Sequence, residues 1–130
     1  MKGYTVDLEA ATLANENFRH VLYTTKHSQL VLMSLAAGED IGEEVHELDQ
    51  FIRVEAGQGK AVLNGVAYAL SDGRAVVVPA GLRHNIINTS NEPLKLYTLY
   101  SPPEHQDGVV RATKKEALAS EEHFDGQTTE

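Results

Sequence analysis

The sequence predicts an all-β protein folded as an antiparallel sandwich or barrel, with helix only towards the ends of the chain. Three observations predict this. Short runs rich in Val, Ile, Leu and Tyr recur between turn signals at close spacing. Asn64-Gly65 stands between two such runs, and a type I′ hairpin turn requires positive φ at both positions. Little helix intervenes between the runs, which is the pattern of antiparallel sheets.

Taken in order, strands are expected near residues 18–24, 28–36, 41–45, 49–55, 60–64, 66–70, 75–78, 85–88 and 94–100. The punctuation between them includes Asp72-Gly73, Pro79-Ala80-Gly81 and Asn88-Thr89-Ser90-Asn91, all rich in turn-forming residues. A helical turn is expected near Leu8–Ala14. Thr113-Lys-Lys-Glu116 is a capping box leading into Ala117-Leu118-Ala119, so a short helix is expected near 114–122. Residues 1–17 form an N-terminal segment, 18–101 the barrel, and 102–130 a C-terminal extension carrying that helix.

The chain has 130 residues, enough for one core and too few for two. Its net charge of −8 argues against a nucleic acid or an anionic membrane as partner, since both need a basic surface. There is no cysteine, so a bound metal has to be held by nitrogen and oxygen. Residues 1–20 include Lys2, Asp7, Glu9, Glu16 and Arg19 and lack an apolar stretch, so a secretory signal is not expected. The longest apolar stretch, Gln29 to Gly38, is about half of a membrane span. A cytoplasmic protein is the expectation.

The polar residues that interrupt the strands carry the chemistry. Glu44, His46 and Gln50 are separated by even steps, which on extended chain share one face. The same parity puts Gln50 beside Ile52 and Val54, and a polar side chain facing a core costs several kcal/mol without a partner. One metal ion would satisfy Glu44, His46 and Gln50 together. Gly81-Leu-Arg-His84, after a Val-Val-Val-Pro strand end, offers a second histidine on a strand that antiparallel pairing can bring alongside.

These spacings resemble the two motifs of the cupin superfamily. The first reads Gly38, five residues, Glu44, one, His46, three, Gln50, six, Gly57. The second reads Gly73, five, Pro79, one, Gly81, two, His84, three, Asn88, which matches the family pattern without departure. Fifteen residues separate the two, and the resemblance covers roughly residues 30–100. It implies a single-domain jelly-roll β-barrel with a short C-terminal helix. It also implies one divalent transition metal (Fe, Mn, Ni or Zn) held by Glu44, His46, Gln50 and His84. The first motif departs from the family's ligands at Glu44, where histidine is usual, and at Gln50, where glutamate is usual. One carboxylate and two imidazoles remain, the composition of non-haem Fe(II) sites.

The resemblance implies a small-molecule substrate or ligand. Similar proteins include dioxygenases, sugar-phosphate isomerases, decarboxylases and non-catalytic sensors. In quercetin dioxygenases of this type a glutamate at the metal serves as base, and Glu44 is the corresponding catalytic candidate. Two readings follow: a dioxygenase- or isomerase-like enzyme on an oxygen-rich molecule, or a binding module without turnover. The Ser101-Pro-Pro-Glu104-His105 segment either covers the barrel mouth, presenting Glu104 or His105, or merely connects to the terminal helix. His20, His27 and His123 read as surface or edge residues. Outward apolar residues such as Phe51 suggest a homodimer.

Overall fold

The computed structural model describes residues 1–130. Its elements are α1 (Leu8–Ala14), β1 (Arg19–Thr24), β2 (Gln29–Leu35), β3 (Asp49–Ala56), β4 (Gly59–Leu63), β5 (Val66–Leu70), β6 (Ala75–Val78), β7 (His84–Asn88), β8 (Leu94–Ser101), β9 (Val110–Arg111) and α2 (Lys114–Ala119). All strand pairs are antiparallel. Asp7 caps α1 by accepting from the Ala10 amide, and Thr113 caps α2 by accepting from the Glu116 amide. Helix α2 ends at Ala119, short of the expected 122. Glu121 and Glu122 would lie at the negative end of its dipole, and Glu122 is instead drawn to two arginines.

One expected strand is absent and one unexpected strand is present. Residues 41–45 are not a strand: Asp40 and Glu44 make only single bridges, to Ile87 and His84. Gly42, with φ of 114°, breaks the extended run, and its amide donates to the Asn85 side chain. Conversely, Val110–Arg111 pairs with His20–Arg19 as a two-residue strand too short to show in the apolar pattern.

The strands form a six-stranded sheet ordered β6-β3-β8-β2-β1-β9 and a three-stranded sheet ordered β5-β4-β7. The larger sheet points alternate residues inward. Ile52, Val54, Val31, Met33, Leu35, Leu94 and Leu96 are fully buried there, each at 0% exposure. The inward rows change character along the barrel. One end is aliphatic. At the other, cross-strand partners place Gln50 beside Tyr100, Tyr100 beside Gln29 and Gln29 beside Thr24, all buried. The barrel therefore has a greasy floor and a polar mouth.

Two positive-φ glycines separate turn-making from packing. Asn64 and Gly65 have φ of 50° and 82°, the conformation foreseen for the β4–β5 turn, and a Cβ at Gly65 would meet open space. At Gly57, with φ of 93°, a Cβ would lie 2.4 Å from the Pro93 carbonyl oxygen. Gly65→Ala is therefore expected to cost about 1 kcal/mol of folding stability. Gly57→Ala, which adds a backbone clash to the same strain, should cost about 3 kcal/mol. Equal losses in urea denaturation of the two variants would contradict this.

Candidate functional site at the barrel mouth

The loop before β3 is tied to β7 by reciprocal backbone bonds: the Glu44 amide donates to the His84 carbonyl and the His84 amide to the Glu44 carbonyl, at 2.9 and 3.0 Å. Two residues on, the His46 carbonyl accepts from the Gly81 amide. Both motifs are thus clamped by main chain before any side chain acts. The parity argument places Gln50 correctly on the inner face of β3. It does not describe Glu44 and His46, which reach the mouth from a loop.

The Glu44 carboxylate lies 3.1 Å from His46 Nε2, and the His46 and His84 rings are 5.2 Å apart between centroids. Glu44 holds the His46 pKa above its ordinary value as its hydrogen-bond acceptor, with burial opposing. The His84 Nδ1 lies 2.9 Å from the Leu82 carbonyl oxygen. A carbonyl only accepts, so Nδ1 carries the proton and Nε2 keeps its lone pair, the tautomer that a metal-ligating histidine uses. Gln50 donates from Nε2 to Thr98 Oγ1 at 3.1 Å, while its buried Oε1 has no partner.

This donor set suits a divalent transition ion: two imidazoles, one carboxylate and one orphaned amide oxygen. The side chains are not drawn together as they stand, since no three His, Asp or Glu residues are gathered closely enough to hold an ion. Glu44 and His46 instead satisfy each other. Tyr100, buried among these groups, presents its ring edge-on to both His46 and His105, with centroids 6.2 and 5.3 Å away. Burial pushes its phenol far above the usual value, so it stays protonated.

The chain beyond β8 folds back over this mouth. The buried Gln29 Oε1 accepts from the amides of Glu104 and His105, and its Nε2 donates to the His105 carbonyl. Glu104 then places Oε2 3.7 Å from His46 Nδ1 and Oε1 3.2 Å from His123 Nδ1. A cavity of about 270 Å³ lies between the mouth and this C-terminal chain, with Arg19, Glu44, Glu104, His105 and Glu122 in its lining. Glu104 and His105 take the covering one of the two paths expected for this segment. Arg19 and Glu122 carry no signal in the sequence beyond pairing with a strand as short as β9.

An antiparallel barrel of two sheets with imidazoles and carboxylates gathered at one mouth defines the jelly-roll class. The chain belongs to the cupin family: the cupin domain model matches residues 31–100. It is 47% identical over 128 residues to the uncharacterized protein YrkC of Bacillus subtilis, spanning 93% of this chain and 69% of that one. It is 42% identical to the uncharacterized protein L612 of Acanthamoeba polyphaga mimivirus, covering 90% and 76% respectively. The crystal structure of BH2720 from Bacillus halodurans superposes with a TM-score of 0.89 at 43% identity, covering 92% of this chain and 96% of that one. No helix is long and apolar enough to cross a membrane.

His105 makes a pH signature. Burial, reinforced by the Arg19 charge, lowers its pKa from 6.5 to about 3. The Glu122 carboxylate 3.1 Å from Nδ1 pulls the other way, but neither group is aligned for a hydrogen bond, so burial prevails. The unfolded chain binds this proton below about pH 6.5 and the folded chain only near pH 3, so stability falls as the solution is acidified between them. From pH 7 to pH 5 the loss due to His105 should be about 2 kcal/mol. In His105→Gln that part of the acid sensitivity should vanish. Identical pH dependence of unfolding in the two proteins would show that His105 protonates freely in the fold.

Proposed function

We propose that this cupin is a metal-dependent enzyme, dioxygenase- or isomerase-like, acting on a small oxygen-rich organic molecule. In this reading Glu44, His46, Gln50 and His84 hold one divalent ion of the Fe, Mn, Ni or Zn group. The observation that supports it is the pair of donors with no protein partner: the buried Gln50 Oε1, and His84 Nε2 left free by the Leu82 carbonyl. A bound ion would supply positive charge that chelates substrate oxygens and acidifies a substrate hydroxyl.

The chain's own residues supply the rest. Glu44 lines the cavity with its side chain 37% exposed, free enough to swing between His46 and a substrate and to accept a hydroxyl proton. Glu104 faces the other nitrogen of His46 and orients that ring. Tyr100 keeps its proton and closes the mouth from the side of the large sheet. The barrel, 18–101, is the unit that carries this site, with 1–17 and 102–130 packed around it.

The acidic surface disfavours nucleic acid and anionic membranes as partners, and the protein works in the cytoplasm as a homodimer. Support for the dimer lies on the outer face of the large sheet. Val77, Phe51, Leu99, Leu30 and Tyr23 are successive cross-strand neighbours there, with Val77 66% exposed. Such an apolar row is suited to a second copy.

The test is a screen of flavonols, β-diketones and sugar phosphates under air with the Fe²⁺-, Mn²⁺- or Ni²⁺-loaded protein. His46→Ala and His84→Ala should lose the ion, measured by elemental analysis after dialysis. Glu44→Gln should keep it and lose turnover by about 10²-fold. Tight binding of one compound without turnover in any metal form would favour a sensor instead. Full activity in Glu44→Gln would remove the base assignment alone.

A further inference from the structure

Cross-strand pairing sets Arg19 of β1 directly opposite Arg111 of β9. Like charges facing each other destabilise a sheet unless an anion lies between them. Here that anion is Glu122, whose side chain is 5% exposed, with Oε1 3.6 Å from Arg19 and Oε2 3.3 Å from Arg111. One carboxylate therefore serves two guanidinium groups, and His105, the third basic group in contact with it, is uncharged near neutrality.

Several buried atoms of the cluster lack a hydrogen-bond partner: the Nε atoms of Arg19 and Arg111, both ring nitrogens of the 6%-exposed His105, and Glu122 Oε1. Arg111 spends one Nη on the Ser120 carbonyl as well as on Glu122. Arg19 has its 3.6 Å contact to Glu122 and the face of the Phe18 ring 5.5 Å away, and it lines the cavity that Glu44 shares. Glu122 itself belongs to the irregular stretch after α2, whereas both arginines are fixed in strands.

We propose that Arg19, with His105 beside it, anchors an oxyanion of the molecule bound at the barrel mouth, and that Glu122 is a built-in carboxylate competing for that anchor. The substrate class is then an acidic molecule with a carboxylate or phosphate at one end and chelating oxygens at the other. Glu43, Glu44, Glu104, Glu121 and Glu122 line the same cavity and Arg19 and Lys114 are its fixed cations, so an anion gains a hold there by taking the Arg19 guanidinium from Glu122. A planar guanidinium fork suits carboxylate and phosphate alike. This rests on the mouth being a small-molecule site, but not on the metal.

The experiment uses the metal-free full chain, titrated with malonate and separately with inorganic phosphate. It is followed by calorimetry and by the Arg19 Nε–H signal in a ¹H–¹⁵N spectrum. Glu122→Gln should tighten binding of at least one anion by about tenfold relative to the wild type, since it removes the resident competitor. Adding Arg19→Gln to that variant should abolish the gain. Malonate binding without phosphate binding assigns a carboxylate, and the reverse a phosphate. If Glu122→Gln does not fold, Glu122→Asp withdraws the carboxylate by one methylene and should show the same direction. A gain that survives Arg19→Gln, or no response of the folded variant to either anion, overturns the proposal. Failure of the wild-type protein to bind Fe²⁺, Mn²⁺, Ni²⁺ or Zn²⁺, with the anion response intact, would instead count against the metal reading alone.

Discussion

The mouth of this barrel depends on the register of β3 between β6 and β8. That pairing sets Gln50 opposite both Val78 and Tyr100, Ile52 opposite Val76 and Thr98, and Val54 opposite Leu96. A slip by one residue would turn Phe51 and Arg53 into the core and Gln50 out to solvent. The slip is blocked at both ends. Gly57 passes so close to the Pro93 carbonyl that no side chain fits there, and Asp49 accepts from the Ala80 amide. Motif glycines and core alternation are thus one constraint seen from two sides.

Given that register, the polar mouth is a concentration of groups whose needs are only partly met by one another. Glu44 pairs with His46, Gln29 is occupied by the Glu104–His105 main chain and the Thr24 hydroxyl, and Glu122 is divided between two arginines. Gln50 Oε1, the Arg19 Nε and the His105 ring remain unpaired although buried. Buried polar groups in folded proteins are nearly always satisfied, so orphans clustered at one end of a barrel mark where other chemistry is meant to enter. The aliphatic end shows no such surplus: Leu35, Leu94 and Leu96 simply fill space.

Much of this was legible in the chain. Alternation in Gln50–Val54 gave the inner face of β3 because a strand has period two, and Asn64-Gly65 gave the hairpin because few residue pairs tolerate that turn. The loop carrying Glu44 and His46 was misread as strand, since Ile41 and Val45 mimic alternation while Gly42 breaks it. Strand β9 and the Arg19–Arg111–Glu122 cluster were not legible. They unite residues more than ninety positions apart through a two-residue pairing, and nothing local announces it. Glu104 lay between: a proline-stiffened segment announces a fixed path, but only Gln29 decides where the path leads.

That role of Gln29 has a kinetic side. The amides of Glu104 and His105 lie in chain without regular secondary structure, yet both donate to a side chain that is 1% exposed. Exchange of those amide protons requires breaking bonds to a buried side chain, so this stretch should exchange more slowly than an ordinary surface loop. The covering chain is irregular in shape without being loose.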